Sequence, residues 1–127
     1  MPSIEVKHPD KQADTGAYSA GVIRDGWLYV SGQGPIDLAT GKKVEGSIEE
    51  QTRLVLEHID KILKAAGCTP QDVVKCTCHL LDIADFGRFN KVYGEYFASG
   101  VKPARTTVQS VLWGGILVEI DAIAKMP

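Results

Sequence analysis

Leu117-Val118-Glu119-Ile120-Asp121-Ala122-Ile123-Ala124 keeps one set of alternate positions wholly apolar, Val118, Ile120, Ala122 and Ala124. The other set, Leu117, Glu119, Asp121 and Ile123, is mixed. Successive side chains of a strand point to opposite faces, so this octet predicts a strand with one face in a core and Glu119 on the other. Upstream, Arg105 to Ser110 reads as a second strand: Arg105, Thr107 and Gln109 share one face, Thr106, Val108 and Ser110 the other. Gly114-Gly115 between them is a turn, since no lysine or helix start follows where a phosphate cradle needs one. If these two strands pair as a hairpin, Arg105 and Glu119 lie on a common surface.

Working outward, Tyr18–Arg24 and Trp27–Ser31 flank Asp25-Gly26, a good hairpin turn. Gly32-Gln33-Gly34-Pro35 ends that ladder and leaves backbone N–H groups free, and Asp37 to Gly46 is a polar loop around Thr40-Gly41. Ser47-x-x-Glu50 is a capping box, after which Ile48, Thr52, Val55, Ile59, Ile62 and Ala66 recur at helical spacing up to Gly67. Val73 to Leu81 is a further strand. Asp85 is the expected cap of a second helix whose stripe of Phe86, Phe89, Tyr93 and Phe97 belongs to the core, with Gly100 closing it. The order is β-β-α-β-α-β-β, with room for one short strand before Tyr18. Such an α+β chain of 127 residues makes one domain, 1–127. Two helices cover only one face of its mixed sheet, so the other face calls for a partner, most simply a symmetric copy.

Hydrophobic residues make up 44% and charged residues 24%, and the formal net charge is -2. A nucleic-acid-gripping protein needs a concentrated basic face, whereas here no basic run exceeds Lys42-Lys43, so nucleic acid is not expected as a partner. No stretch reaches the roughly 18 apolar residues of a membrane span, and Met1 to Thr15 is too polar for a signal peptide. Cys68, Cys76 and Cys78 are an odd, small set, read as reduced thiols of a cytoplasmic protein. Cys76-x-Cys78 is too tight for zinc and reads as two small residues on one strand face, so no metal is expected.

The residues that can carry chemistry are few. There is no nucleophile elbow, dinucleotide fingerprint, Walker loop or H-E-x-x-H motif, and His8, His58 and His79 have no neighbour that makes them ligands or bases. Arg105 after Pro103-Ala104 is a candidate carboxylate anchor, because a guanidinium fork grips a carboxylate through two parallel hydrogen bonds. From the residues alone an ordinary cross-strand pair with Glu119 is the favoured reading. Tyr18 and Ser31 beside Gly32 would complete a polar pocket.

Thr15-Gly16-Ala17-Tyr18-Ser19-Ala20-Gly21, Val30-Ser31-Gly32-Gln33-Gly34-Pro35, Pro103-Ala104-Arg105-Thr106-Thr107-Val108 and Val118 to Ala124 resemble the RidA/YjgF family of reactive intermediate deaminases, also described as the endoribonuclease L-PSP family. The likeness runs over nearly the whole chain. It implies a chorismate-mutase-like fold, a homotrimer with clefts between subunits, and hydrolysis of 2-imino acids or enamines such as 2-aminoacrylate to 2-keto acids and ammonia, without metal or organic cofactor. It also implies roles. Arg105 matches the arginine that binds the substrate carboxylate and Glu119 the acid that handles water, while Tyr18, Ser31, Gly32 and Asn90 match pocket positions. Thr107 stands where many members have cysteine, and Trp113-Gly114-Gly115 replaces the charged loop of the commonest subgroup; both departures bear on substrate range. Two other readings come with the family: a ribonuclease or translation inhibitor, and a non-enzymatic carboxylate sensor or chaperone-like module.

Overall fold

The computed structural model describes residues 2–127; of the polar segment before Tyr18, only Met1 lies outside the described residues. Six strands form one sheet in the order β1 (Ile4–Val6), β2 (Gly21–Arg24), β3 (Trp27–Gln33), β8 (Val118–Lys125), β6 (Val73–Leu80), β7 (Ala104–Gln109). The short early strand is therefore present as β1. A separate ribbon, β4 (Ile36–Asp37) with β5 (Lys42–Lys43), lies within the segment expected to be a plain loop. Its strands are two residues each, too short to leave a periodic signature.

The octet that predicted a core strand supplies the centre of the sheet. Leu28 and Val30 of β3 pair with Ala124 and Ala122, and Cys76, Cys78 and Leu80 of β6 pair with Ala122, Ile120 and Val118. These side chains are all buried and form the face that the two helices, α1 (Ile48–Ala66) and α2 (Phe86–Tyr96), cover. Glu119, Asp121 and Ile123 pair with His79, Thr77 and Lys75 on the uncovered face and are only half buried.

Helix α1 begins and ends as its sequence dictates. Ser47 Oγ accepts from the Glu50 N–H, Glu50 accepts from the Ser47 N–H, and Gly67 takes the left-handed conformation (φ 85°). Asp85 holds the N-cap position of α2 as expected, but its side chain makes no capping bond; a single 3-10 turn, Ile83–Asp85, precedes the helix, and Asp82 caps that turn by accepting from Ala84 N–H at 2.9 Å.

The last two strands do not form a hairpin. β6 lies between them, with β7 running parallel to it at the edge. Arg105 and Thr107 pair with Cys76 and Cys78, which places them on the helix-covered face, opposite to Glu119. The common surface that hairpin pairing would have given is absent within one chain. No described helix is long and apolar enough to cross a membrane.

Candidate functional site

Glu119 and Arg105 belong to two separate groups of side chains. The first lines an open cleft of about 600 Å³, where Tyr18, Ser31, Gly32 and Glu119 meet Asp14, Thr15, Gln33, Ile36, Leu38 and Trp113. The sheet builds it by breaking its own ladder. β3 runs on through Gln33, further than its glycines predicted, but its register with β8 shifts between Val30 and Gln33 and leaves Ser31 and Gly32 unpaired in β8. Such an irregularity re-aims side chains. Here Gly32 lies so close to Glu119 that an added Cβ would stand 2.9 Å from Glu119 Cδ.

Ser31 holds the neighbouring chain in place: its Oγ donates to Ser19 C=O at 2.6 Å and its N–H donates to Ala20 C=O at 2.9 Å. Residues 18–20 thus lie beside β3 without being part of β2, which starts only at Gly21. Tyr18 is fixed in turn by a 2.6 Å hydrogen bond between its Oη and Thr15 Oγ1, with Lys11 Nζ 4.7 Å over its ring. Every charged side chain lining the cleft is acidic, Asp14 and Glu119.

The second group lies between β7 and α2. Arg105 donates from Nη1 to Asn90 Oδ1 at 2.7 Å, and its guanidinium stands 4.7 Å from the ring of Tyr93 and 5.4 Å from that of Phe86. Cation–π contact and one short hydrogen bond orient the fork while leaving most of its donors unused. Thr107, next on the same face, has a buried Oγ1 without a hydrogen-bond partner, and so does Tyr93 Oη. They stand beside the thiols of Cys78 and Cys76, which are weak partners. Burial pushes both thiols up, Cys78 to about 12, so they stay protonated and inert, in keeping with their structural reading. No cluster of potential metal ligands occurs among the described residues.

The sequence reading put Tyr18, Ser31, Gly32, Asn90, Arg105, Thr107 and Glu119 in one site; the structure gathers Tyr18, Ser31, Gly32 and Glu119 at the cleft and Asn90, Arg105 and Thr107 between β7 and α2, and one chain does not join the two groups. That reading missed the supports behind them. His8 and His58, read as a tail residue and a helix residue without roles, are both buried and linked. Asp10 N–H donates to His8 Nδ1 (3.0 Å), so Nε2 carries the proton and donates to His58 Nδ1 (3.0 Å); His58 Nε2 then donates to Ile36 C=O (2.8 Å). This relay ties the N-terminal segment through α1 to the ribbon that carries cleft residue Ile36. Buried Gln51 does similar work, accepting from Leu117 N–H and donating to Val44 C=O. Its signal was legible: Gln51 falls three residues after Ile48 and four before Val55, a polar side chain on the core-facing stripe.

An α+β sheet covered on one side thus carries an acidic cleft and an oriented arginine on opposite faces. The chain belongs to the RidA/YjgF family: the model described as Endoribonuclease L-PSP matches residues 9–126. A RutC family protein of Pyrococcus horikoshii is 48% identical over 110 residues, 86% of each chain. The 2-iminobutanoate/2-iminopropanoate deaminase of Rattus norvegicus is 45% identical over 113 residues, 88% of this chain and 82% of that one. The crystal structure of the Rid family protein YyfA from Yersinia pestis superposes with a TM-score of 0.92 at 39% identity, covering 98% of this chain and 100% of the other. The mixed α+β fold expected from the sequence is that of this family.

Proposed function

We propose that the protein hydrolyses small 2-imino acids, or their enamine tautomers such as 2-aminoacrylate, to 2-keto acids and ammonia, at clefts completed between copies in a homotrimer. The observation that carries this reading is the separation of charge. The cleft's own charged lining, Asp14 and Glu119, is acidic and offers an anion no countercharge, while Arg105 presents free donors on the far face of the sheet. Stacking a neighbour's β7 edge against the cleft supplies the missing cation, and the uncovered sheet face is available for that contact. The name of the rat relative, a 2-iminobutanoate/2-iminopropanoate deaminase, supports the same chemistry.

In this reading Arg105 of one copy binds the substrate carboxylate, with the backbone at Thr107 beside it, and the reacting carbon lies over Glu119 and Gly32 of the next. A protonated imine carbon is already electrophilic, so positioning is the main task. Glu119 takes one proton from water as its oxygen bonds to that carbon, giving a carbinolamine. It returns that proton to nitrogen and takes up the hydroxyl proton as the C=O bond forms and the C–N bond breaks, releasing ammonia and the keto acid. Ser31, Tyr18 and Asn90 position these groups. The endoribonuclease of the family description gains little from this cleft, because one arginine set against Asp14 and Glu119 suits a single carboxylate better than a run of RNA phosphates.

The test is ammonia release from 2-iminobutyrate or 2-aminoacrylate generated in the cuvette by a dehydratase. Arg105→Ala is expected to lower the catalysed rate by roughly two orders of magnitude or more. Unchanged turnover in that variant sinks the assignment.

A further inference from the structure

Trp113 lines the same cleft as Glu119 yet is 58% exposed, an indole left in water by its own chain. It stands on the turn Trp113–Gly115, where Gly114 (φ 62°) and Gly115 (φ 72°) both take left-handed backbone that other residues rarely adopt. A Cβ on Gly115 would be 3.4 Å from Lys43 Nζ, so the turn lies against the β4–β5 ribbon. That ribbon and the residue after its first strand bring Ile36 and Leu38 to the cleft. The apolar lining is therefore gathered on the ribbon and this turn, away from the Ser31–Gly32 break of β3.

From this arrangement we infer that Trp113, Ile36 and Leu38 form a side-chain subsite, and that the protein prefers 2-imino acids with bulky apolar or aromatic side chains to those with methyl or ethyl groups. The inference rests on the deaminase reading and deepens it. In a 2-imino acid the carboxylate and the side chain leave the reacting carbon in divergent directions. With the carboxylate on a neighbour's Arg105 and the carbon over Glu119, the side chain points into the remainder of the cleft. A methyl group would leave most of that ≈ 600 Å³ space to water and the indole uncovered. An aromatic ring would bury both apolar surfaces and stack on Trp113, a contact that favours binding by about three- to tenfold beyond area alone. The same hydrolysis then proceeds, with water adding its oxygen to the imine carbon and ammonia leaving.

The experiment compares kcat/KM for the imines of phenylalanine and alanine, each generated in place by an amino-acid oxidase with catalase and followed as loss of semicarbazide-trappable imine. The wild-type protein is expected to favour the phenylalanine-derived imine. Trp113→Ala should lower the phenylalanine-to-alanine ratio by about tenfold, whereas Trp113→Phe, which keeps a ring, should retain most of it. A ratio unchanged in both variants, with both imines turned over, overturns the subsite and leaves the deaminase reading standing. Failure to accelerate either imine overturns both.

Discussion

A methyl group on Gly32 would stand 2.9 Å from Glu119 Cδ and 3.0 Å from its Oε2. The atoms it meets are the far end of a flexible side chain, so Gly32→Ala should displace the carboxylate and leave the backbone alone. The expected outcome is a stability loss below about 1 kcal/mol with turnover down roughly a hundredfold. Urea denaturation and imine hydrolysis on one preparation check it, and a parallel fall in both would show that the glycine serves the fold. Thr107 makes the complementary case. Its hydroxyl is buried without a partner, a condition that costs roughly 1–3 kcal/mol. Thr107→Val should therefore be at least as stable as the wild type, while 2-keto acid binding by calorimetry stays within about twofold of it, because the buried hydroxyl does not reach the ligand. A clear loss of stability would mean that the hydroxyl has a structural partner. These residues were legible because each sits in a motif or on a strand face that sequence spacing resolves. His8 and His58, fifty residues apart, carry no such signal, because only the fold brings them within 3.0 Å.

At the scale of elements, whatever is periodic was legible and whatever depends on pairing was not. The alternation from Val118 to Ala124 announced the strand that became the sheet's centre, and the capping box fixed the start of α1. Nothing in the local pattern says that β6 separates β7 from β8, because strand order is decided by contacts between distant segments. That one fact moved Arg105 and Glu119 from a shared surface to opposite faces. The start of α2 falls at Asp85 as its sequence indicated, but the side-chain capping bond comes from Asp82, on the 3-10 turn just before it. Asp82→Ala should accordingly cost about 1 kcal/mol in chemical denaturation, and Asp85→Ala only a few tenths. Equal losses would give Asp85 a capping bond as well.

The His8–His58 relay makes the whole molecule sensitive to acid. Burial, and then the neighbouring His58, hold His8 down to about 4 from an ordinary 6.5, with Asp10 and Glu57 opposing the shift and Lys61 adding to it. His58 is lowered too, chiefly by burial. Both rings are therefore neutral in the folded protein, whereas unfolded chains take up protons below about pH 6.5. Their contribution to stability is constant above that pH, falls on acidification toward about 4 and is exhausted below it, at a slope of at most about 1.4 kcal/mol per pH unit per proton. His8→Gln should flatten the melting temperature across about pH 6.5 to 4.5, and an unchanged slope would assign the acid sensitivity elsewhere. The opposite placement of Arg105 and Glu119 has a consequence that can be counted. If each working cleft draws its arginine from one subunit and its glutamate from the next, two inactive proteins can repair each other. Subunits carrying Arg105→Ala, refolded together with an equal amount carrying Glu119→Gln, would pair an intact arginine with an intact glutamate in about a quarter of the clefts of randomly mixed rings. Two dead preparations should then yield about a quarter of the wild-type rate, a recovery that sites contained within one chain could never show.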